Sequence, residues 1–146
     1  MTPPDTAIDL RDFRPGDEHA VITLWRKCRL LRPWNDPYQD IRRKLAAGHG
    51  GFWVGHVGPR LITSIMVGYD GHRGSVNYLA IDPAFAGHGH GRMLMERAEA
   101  FLFEKGCPKV NICVRRDNGA VLAFYGSLAY EQDDVVVLGK RLIPDD

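Results

Sequence analysis

Cysteine is scarce in this sequence. The 146 residues hold only Cys28, Cys107 and Cys113. That is too few for a disulfide framework, and the spacing is wrong for a thiolate zinc site. The three read as small apolar residues buried in a reducing cytosol. Charge of one sign is also missing. Nineteen Lys and Arg against 18 Asp and Glu leave a formal net charge of +1, so neither nucleic acid nor an acidic membrane surface is expected as a partner. No apolar run approaches the ~18 residues that a spanning helix needs. The opening MTPPDTAIDL has neither the basic nor the apolar region of a secretory signal. These absences point to a cytoplasmic protein; a monomer or homodimer is expected. What is present suffices for a core: 45% apolar residues in a length suited to one domain, residues 1–146.

The hydrophobic pattern is mixed. Residues 7–13 alternate as a half-buried strand would. Pro15, Asp17 and Glu18 open a helix with the stripe Val21, Leu24, Trp25 and Cys28. RPWNDP is a turn region, followed by a short helix near 37–47. Strands are expected at 52–57, 60–69 and 75–81, separated by the turn signals GP and DGHRG. This much is an antiparallel meander. A glycine loop, a helix at 92–105 and a strand at 109–114 then complete a β-α-β unit, whose two strands should be parallel. Another helix is expected at about 118–128 with Asn118 as its N-cap. Residues 130–142 resemble a closing hairpin with its turn near Gln132–Asp134.

Chemistry concentrates in AFAGHGHGRML, residues 84–94. Gly87, Gly89 and Gly91 alternate between a strand and a helix. Glycine there lets a ligand approach without meeting a Cβ, and a helix N-terminus offers unpaired amides and partial positive charge. The combination suits a phosphate or pyrophosphate. The nucleotide P-loop is excluded because no Lys-Ser or Lys-Thr occurs. A dinucleotide fold is excluded because no acidic residue lies about 20 positions on. His88 and His90 lack a third ligand nearby, so no metal is expected.

On these residues DPAFAGHGHGRML resembles the acetyl-CoA pyrophosphate loop of the GNAT superfamily of N-acetyltransferases. That motif runs from position 86 to position 91. Gly89 and Gly91 match, Ala86 departs from the usual Gln or Arg, and His90 replaces an aliphatic residue. A second segment, DNGAVLAFYGSLAY, is similar to the family's Asn118, Tyr125 and Gly-Phe pattern, with Ala129-Tyr130 in the last place. LLRPWNDP, GYDGHRGS and GCPK further resemble a small bacterial subgroup of acetyltransferases. The element order agrees along the whole chain.

The resemblance implies an α/β fold of mixed α+β kind: a mostly antiparallel sheet with one splayed parallel pair and helices on both faces. It implies acetyl-CoA as donor and a small-molecule or peptide amine as acceptor. The pantetheine arm would pair with backbone at Leu79, Ala80 and Ile81. The pyrophosphate would sit on the amides of Ala86, Gly87, His88, Gly89, His90, Gly91 and Arg92. Arg92 either adds a cation there or is a solvated first-turn charge. Asn118 reaches the pantetheine arm, caps its helix, or does both. Tyr125 matches the general acid that returns a proton to the thiolate, and otherwise reads as a core aromatic beside Val121 and Leu128. The base is not legible. Asp36, Asp70, His72, Glu131 and Asp133 are the titratable groups in reach, each readable as a turn or surface residue. The link between the first two helices, with Trp34, Asn35 and Asp36, is expected to select the acceptor. The other reading of that link is a rigid turn in which Asn35 or Asp36 caps the second helix. A CoA-binding sensor without turnover is the alternative function, and an interaction module on the same scaffold is a third.

Overall fold

In the computed structural model, residues 7–145 are described. Strand β1 (Asp9–Asp12) leads through a single 3-10 turn, Pro15–Asp17, into α1 (Glu18–Lys27). Asp17 fixes that entry. Its carboxylate accepts from Arg14 N at 2.8 Å and takes both guanidinium nitrogens of Arg11, at 2.7 and 2.8 Å. Helix α2 (Pro37–Ala47) starts with a proline at its first position and Asp36 as N-cap, whose side chain accepts from Tyr38 N at 2.9 Å. The meander β2 (Gly51–Val57), β3 (Arg60–Tyr69) and β4 (Gly74–Ile81) follows. After the glycine loop come α3 (His90–Glu104), β5 (Val110–Asn111) and α4 (Gly119–Ser127).

The five strands form one sheet in chain order. Every neighbouring pair is antiparallel except β4 and β5, which are parallel. Strand alternation sends successive residues of β3 to opposite faces. Met66 packs with Trp25, Ile41 and Phe52 under α1 and α2. Ile65 and Val67 pack with Leu94, Ala98 and Leu102 under α3. Helices therefore cover both faces, as expected.

Three expectations fail. The strand expected at 109–114 pairs only at Gly74↔Val110 and Ser75↔Asn111. Beyond that it leaves β4, and without a neighbour the ladder ends. The hairpin expected at 130–142 is absent among the described residues, which hold no strand after α4. Val135, Val136, Val137 and Leu138 stand between 73% and 90% exposed. A continuous apolar run favours a strand but supplies no partner for its backbone. The cysteines are not all core residues either. Cys28 and Cys107 are half-buried, and Cys113 is exposed.

Candidate active site

The divergence of β4 from β5 creates the site. A cavity of about 540 Å³ opens in the gap. Val76 to Leu79 form one wall, and Ile112 to Arg115 form the other. Asn118, Val121 and Tyr125 of α4 close one end. Leu30, Arg32 and Asn35 from the α1–α2 link, with Asp40 of α2, close the other.

The β4 wall carries a local irregularity. Met66 pairs with Asn77 and Ser64 with Ala80, so Tyr78 and Leu79 together face the single residue Ile65. This is a bulge, and it frees backbone groups from the ladder. Tyr78 sits there at φ 52°, a left-handed conformation that costs a non-glycine residue about 1–2 kcal/mol. Its surroundings impose it. The ring stacks on Trp25 with centroids 3.8 Å apart, and its hydroxyl donates to Asp40 Oδ2 at 2.6 Å. Trp25 Nε1 donates to Ser64 Oγ, which donates to Tyr78 O, both at 2.8 Å. Burial first, and then the Asp40 carboxylate, push the Tyr78 phenol well above its ordinary range.

Tyr125 is 9% exposed, and burial pushes its phenol up to about 12. It is edge-on to Phe124 and to Tyr130, at 5.0 and 5.6 Å. Tyr130 is in turn fixed by a 2.6 Å hydrogen bond from its hydroxyl to Glu99 Oε2. Asn118 caps α4, its Oδ1 accepting from Val121 N at 3.3 Å, while it also lines the cavity.

The glycine loop lies at the start of α3. Gly87 and Gly89 have φ of 81° and 79°, and nothing lies within 4 Å of where a Cβ would be. The left-handed backbone is what requires glycine there, and the space beside it is open. Gly91 is glycine for another reason: a Cβ would lie 2.9 Å from the ring of Phe124 on α4. Met93 N makes the first helical bond, to Gly89 O. The amides of His90, Gly91 and Arg92 precede it and face outward unpaired by the helix. This is the donor set a pyrophosphate needs. His88 is exposed, whereas His90 is 7% exposed with its Nε2 unpartnered among the described residues. Burial, then the neighbouring His88, hold the His90 ring below its usual range. Among the described residues no group of three or more His, Cys, Asp and Glu side chains is placed to hold a metal. Arg92 reaches Ser127 O at 3.3 Å and lies 3.9 Å from Glu96, tying α3 to the end of α4.

Of the expected site residues, Ala80 and Ile81 lie on β4 outside the cavity lining, Ala80 in the core under α1 and Ile81 against the core under α3, and the others fall in three places. Leu79, Asn118, Tyr125 and Asn35 meet at the cavity. Ala86 to Arg92 form the loop at the head of α3. Trp34 and Asp36 stand on the rim. Trp34 is 51% exposed with the Arg115 guanidinium 5.0 Å from its ring centroid. Asp36 is the α2 cap, and its own amide donates to Asp145 Oδ2 at 2.8 Å. The segment after α4 reaches the same link: Arg141 donates to Asn35 Oδ1 at 2.9 Å and Arg43 pairs with Asp145 at 2.7 Å. None of the five candidates for a base lines the cavity. Asp70 caps its own turn, accepting from His72 N and Arg73 N at 2.7 Å, and Asp133 pairs with Lys109. The carboxylate that does line it is Asp40, which the sequence did not single out. Nor did it single out Arg32, Tyr78 or Arg115. Only the DPYQD repeat of aspartates at the head of α2 hinted that two carboxylates gather there.

A splayed parallel pair, an amide-rich helix start beside it and a phenol on the wall define an acyl-CoA N-acyltransferase. The model of the acetyltransferase (GNAT) family matches residues 18–130, and the chain belongs to that family. An acetyltransferase of Pectobacterium atrosepticum is 50% identical over 138 residues, covering 94% of this chain and 98% of the relative. One of Sodalis glossinidius is 50% identical over 139 residues with the same coverage. Among solved structures, the PaiA N-acetyltransferase of Thermoplasma acidophilum in complex with coenzyme A superposes with a TM-score of 0.76 at 16% identity, covering 89% of this chain and 93% of that one. The aminoglycoside acetyltransferase AAC(6')-Iy, bound to a bisubstrate analogue, gives 0.74 at 16% identity, covering 94% and 99%. The protein is an N-acetyltransferase of the GNAT type.

Proposed function

We infer that the chain moves the acetyl group of acetyl-CoA to a primary amine by direct attack. The observation that carries this reading is the cavity between β4 and β5, with a phenol at one end and a carboxylate at the other. The pantetheine arm runs along Leu79, Ala80 and Ile81, on the edge of β4 that β5 leaves unpaired, with Leu79 at the bulge. The pyrophosphate rests on the amides from Ala86 to Arg92. The amide of Leu79 polarises the thioester carbonyl as the amine adds. The neutral amine forms the C–N bond as the C–S bond breaks, Tyr125 gives its proton to the departing thiolate, and the proton shed by the nitrogen passes to solvent, from which the phenolate recovers its own; a phenol held at about 12 is protonated throughout the neutral range.

The acceptor enters from the α1–α2 link. Asp40 draws the ammonium by a charge-assisted bond, and Trp34, Asn35 and Asp36 form its rim. A lysine-type amine, pKa ~10.4, is neutral in only about one molecule in 2500 at pH 7, whereas an N-terminal amine, pKa ~7.7–8.0, is far easier to use. Arg32 and Arg115 on the same cavity suit a carboxylate close to the amine. The acceptor class that fits is therefore an amine of lowered basicity bearing a nearby carboxylate, as in an amino acid.

The test is release of free CoA thiol from acetyl-CoA with a panel of amines. Amino-acid-type acceptors are expected to give a higher kcat/KM than alkylamines of the same length. Binding of acetyl-CoA with no thiol released by any amine would return the chain to a CoA sensor. Equal rates with alkylamines would remove the arginines from acceptor choice.

A further inference from the structure

Asp40 is the carboxylate of the cavity, yet a cation stands within reach of it. Arg43 follows one turn later on α2, and its Nη1 lies 3.6 Å from Asp40 Oδ1. A guanidinium does not lose its charge. Left alone beside Asp40, it would close the ordinary i,i+3 pair and fill the place an ammonium needs. A second carboxylate draws it off. Asp145 takes Arg43 in a two-pronged pair, Nη2 donating to Oδ1 at 2.7 Å and Nη1 to Oδ2 at 3.2 Å. That fork is the strong geometry for arginine and carboxylate.

Asp145 is itself firmly placed. Its side chain is 1% exposed. Its Oδ2 also accepts from Asp36 N at 2.8 Å, at the cap of α2. Arg141 lies 3.7 Å from the same oxygen and donates to Asn35 Oδ1 at 2.9 Å. Asn35 and Asp40 line the cavity, whereas Arg43, Arg141 and Asp145 stand behind them. Charge therefore alternates outward from the cavity through Asp40, Arg43, Asp145 and Arg141. The Tyr78 hydroxyl occupies Asp40 Oδ2 at 2.6 Å. Oδ1 is thus the oxygen left for an ammonium, and it is the oxygen that Arg43 would take.

We propose that Asp145 is a positioning residue for the acceptor: it holds Arg43 away from Asp40 and so keeps Oδ1 of that carboxylate open to the incoming ammonium. The proposal rests on the reading of Asp40 as the group that draws the acceptor. It makes the segment past α4 part of the acceptor site at one remove, although none of its residues lines the cavity.

Asp145→Asn tests it, because an amide oxygen still accepts from Asp36 N and only the charge is given up. The acceptor used is whichever of the twenty amino acids, each supplied singly, gives the fastest thiol release from acetyl-CoA. Acceptor KM should rise about tenfold in the variant, with kcat and the Kd for acetyl-CoA unchanged. Adding Arg43→Gln removes the competing cation and should bring KM back to within about twofold of the unmodified chain. A purely structural role of Asp145 would give no such recovery. In a crystal structure of Asp145→Asn the guanidinium should stand on Asp40 at about 2.9 Å. A KM that does not move, or that Arg43→Gln fails to restore, would overturn the proposal. So would an Arg43 still directed at residue 145. Thiol release with none of the twenty amino acids, or an unaltered KM in Asp40→Asn, would overturn the acceptor reading and this proposal with it. Both of those results appear with Asp145 untouched, so the two failures are told apart.

Discussion

The two ends of the cavity are built on different principles. The proposed donor side relies on the main chain: a bulge in the β4 wall and, outside the cavity lining, the amides at the head of α3 with two glycines in left-handed conformations. The one side chain proposed to react there is Tyr125. The other end, where the acceptor is proposed to enter, relies on side chains gathered from four separate segments: Arg32 and Asn35 from a link, Asp40 from α2, Tyr78 from β4 and Arg115 beyond β5. A surface made of backbone tolerates sequence change and binds what is common to every reaction of the class. A surface made of side chains can be rewritten residue by residue, which is where a choice of acceptor belongs.

The sharpest way to break that division is at Tyr125. Tyr125→Phe is expected to lower kcat by ~10²–10⁴-fold while the Kd for acetyl-CoA stays put. The sign of the pH dependence follows from its raised phenol. The proton-bearing form is the active one and is lost only as pH rises toward about 12. The kcat of the unmodified enzyme should therefore climb with amine deprotonation from pH 6 to 9 and show no fall within that range. An unchanged kcat in the variant would leave Tyr125 as a core aromatic.

Next in size is the glycine loop. Gly89→Glu adds a side chain in a left-handed position and a negative charge at the helix start, and should weaken CoA binding by about 100-fold or more. His88→Ala, at an exposed ring, should leave affinity within a few-fold. His90→Ala should show in melting temperature more than in affinity, because its ring is buried. Calorimetry with CoA separates a backbone cradle from an imidazole site: loss of binding in both histidine variants would favour the latter.

The acceptor end predicts the opposite kinetic signature. Asp40→Asn and Trp34→Ala should each raise acceptor KM about tenfold with acetyl-CoA binding intact. Trp34 is half-exposed and bears little packing, so its loss should not move the melting temperature. A fall in stability with unaltered KM would make the link a structural turn and nothing more.

The smallest effect concerns Ala129. It follows the end of α4 at φ 69°, where its amide donates to Gly126 O and that of Tyr130 to Tyr125 O. This is the left-handed helix stop that glycine fills without strain. Ala129→Gly should therefore stabilise the protein by about 1 kcal/mol, or about 3 °C in Tm. No change in CoA affinity is expected, because the residue shapes the helix exit and not the donor surface.

The same division decides what the sequence made legible. The glycine loop and the Asn118–Tyr125 spacing are local, and backbone geometry is written in runs of neighbouring residues. The meander and the helices were readable from their periodicity for the same reason. Asp40, Tyr78 and Arg115 come together only through the sheet, and nothing within ten residues of any of them marks the others. Asp36 and Asp40 show how close such readings run: one caps the helix and the other, a turn later, faces the cavity. The strand expected at 109–114 and the hairpin at 130–142 failed through one cause. β-propensity is a statement about a residue, whereas a strand is a statement about a pair. Past Asn111 the neighbour has moved away, and beyond Tyr130 the described residues provide none.

The three tryptophans occupy three settings. Trp25 is fully buried in its stack on Tyr78, Trp53 is half-buried edge-on to Phe101, and Trp34 stands at the rim over Arg115. Their emission should separate by colour, with the buried indole bluest and Trp34 reddest and most open to iodide. An amine arriving at the rim would then alter the long-wavelength light alone, while unfolding would shift all three. With the acceptor entering at the rim as proposed, the chain would carry its own optical reporter of acceptor binding, readable without label or coupled assay.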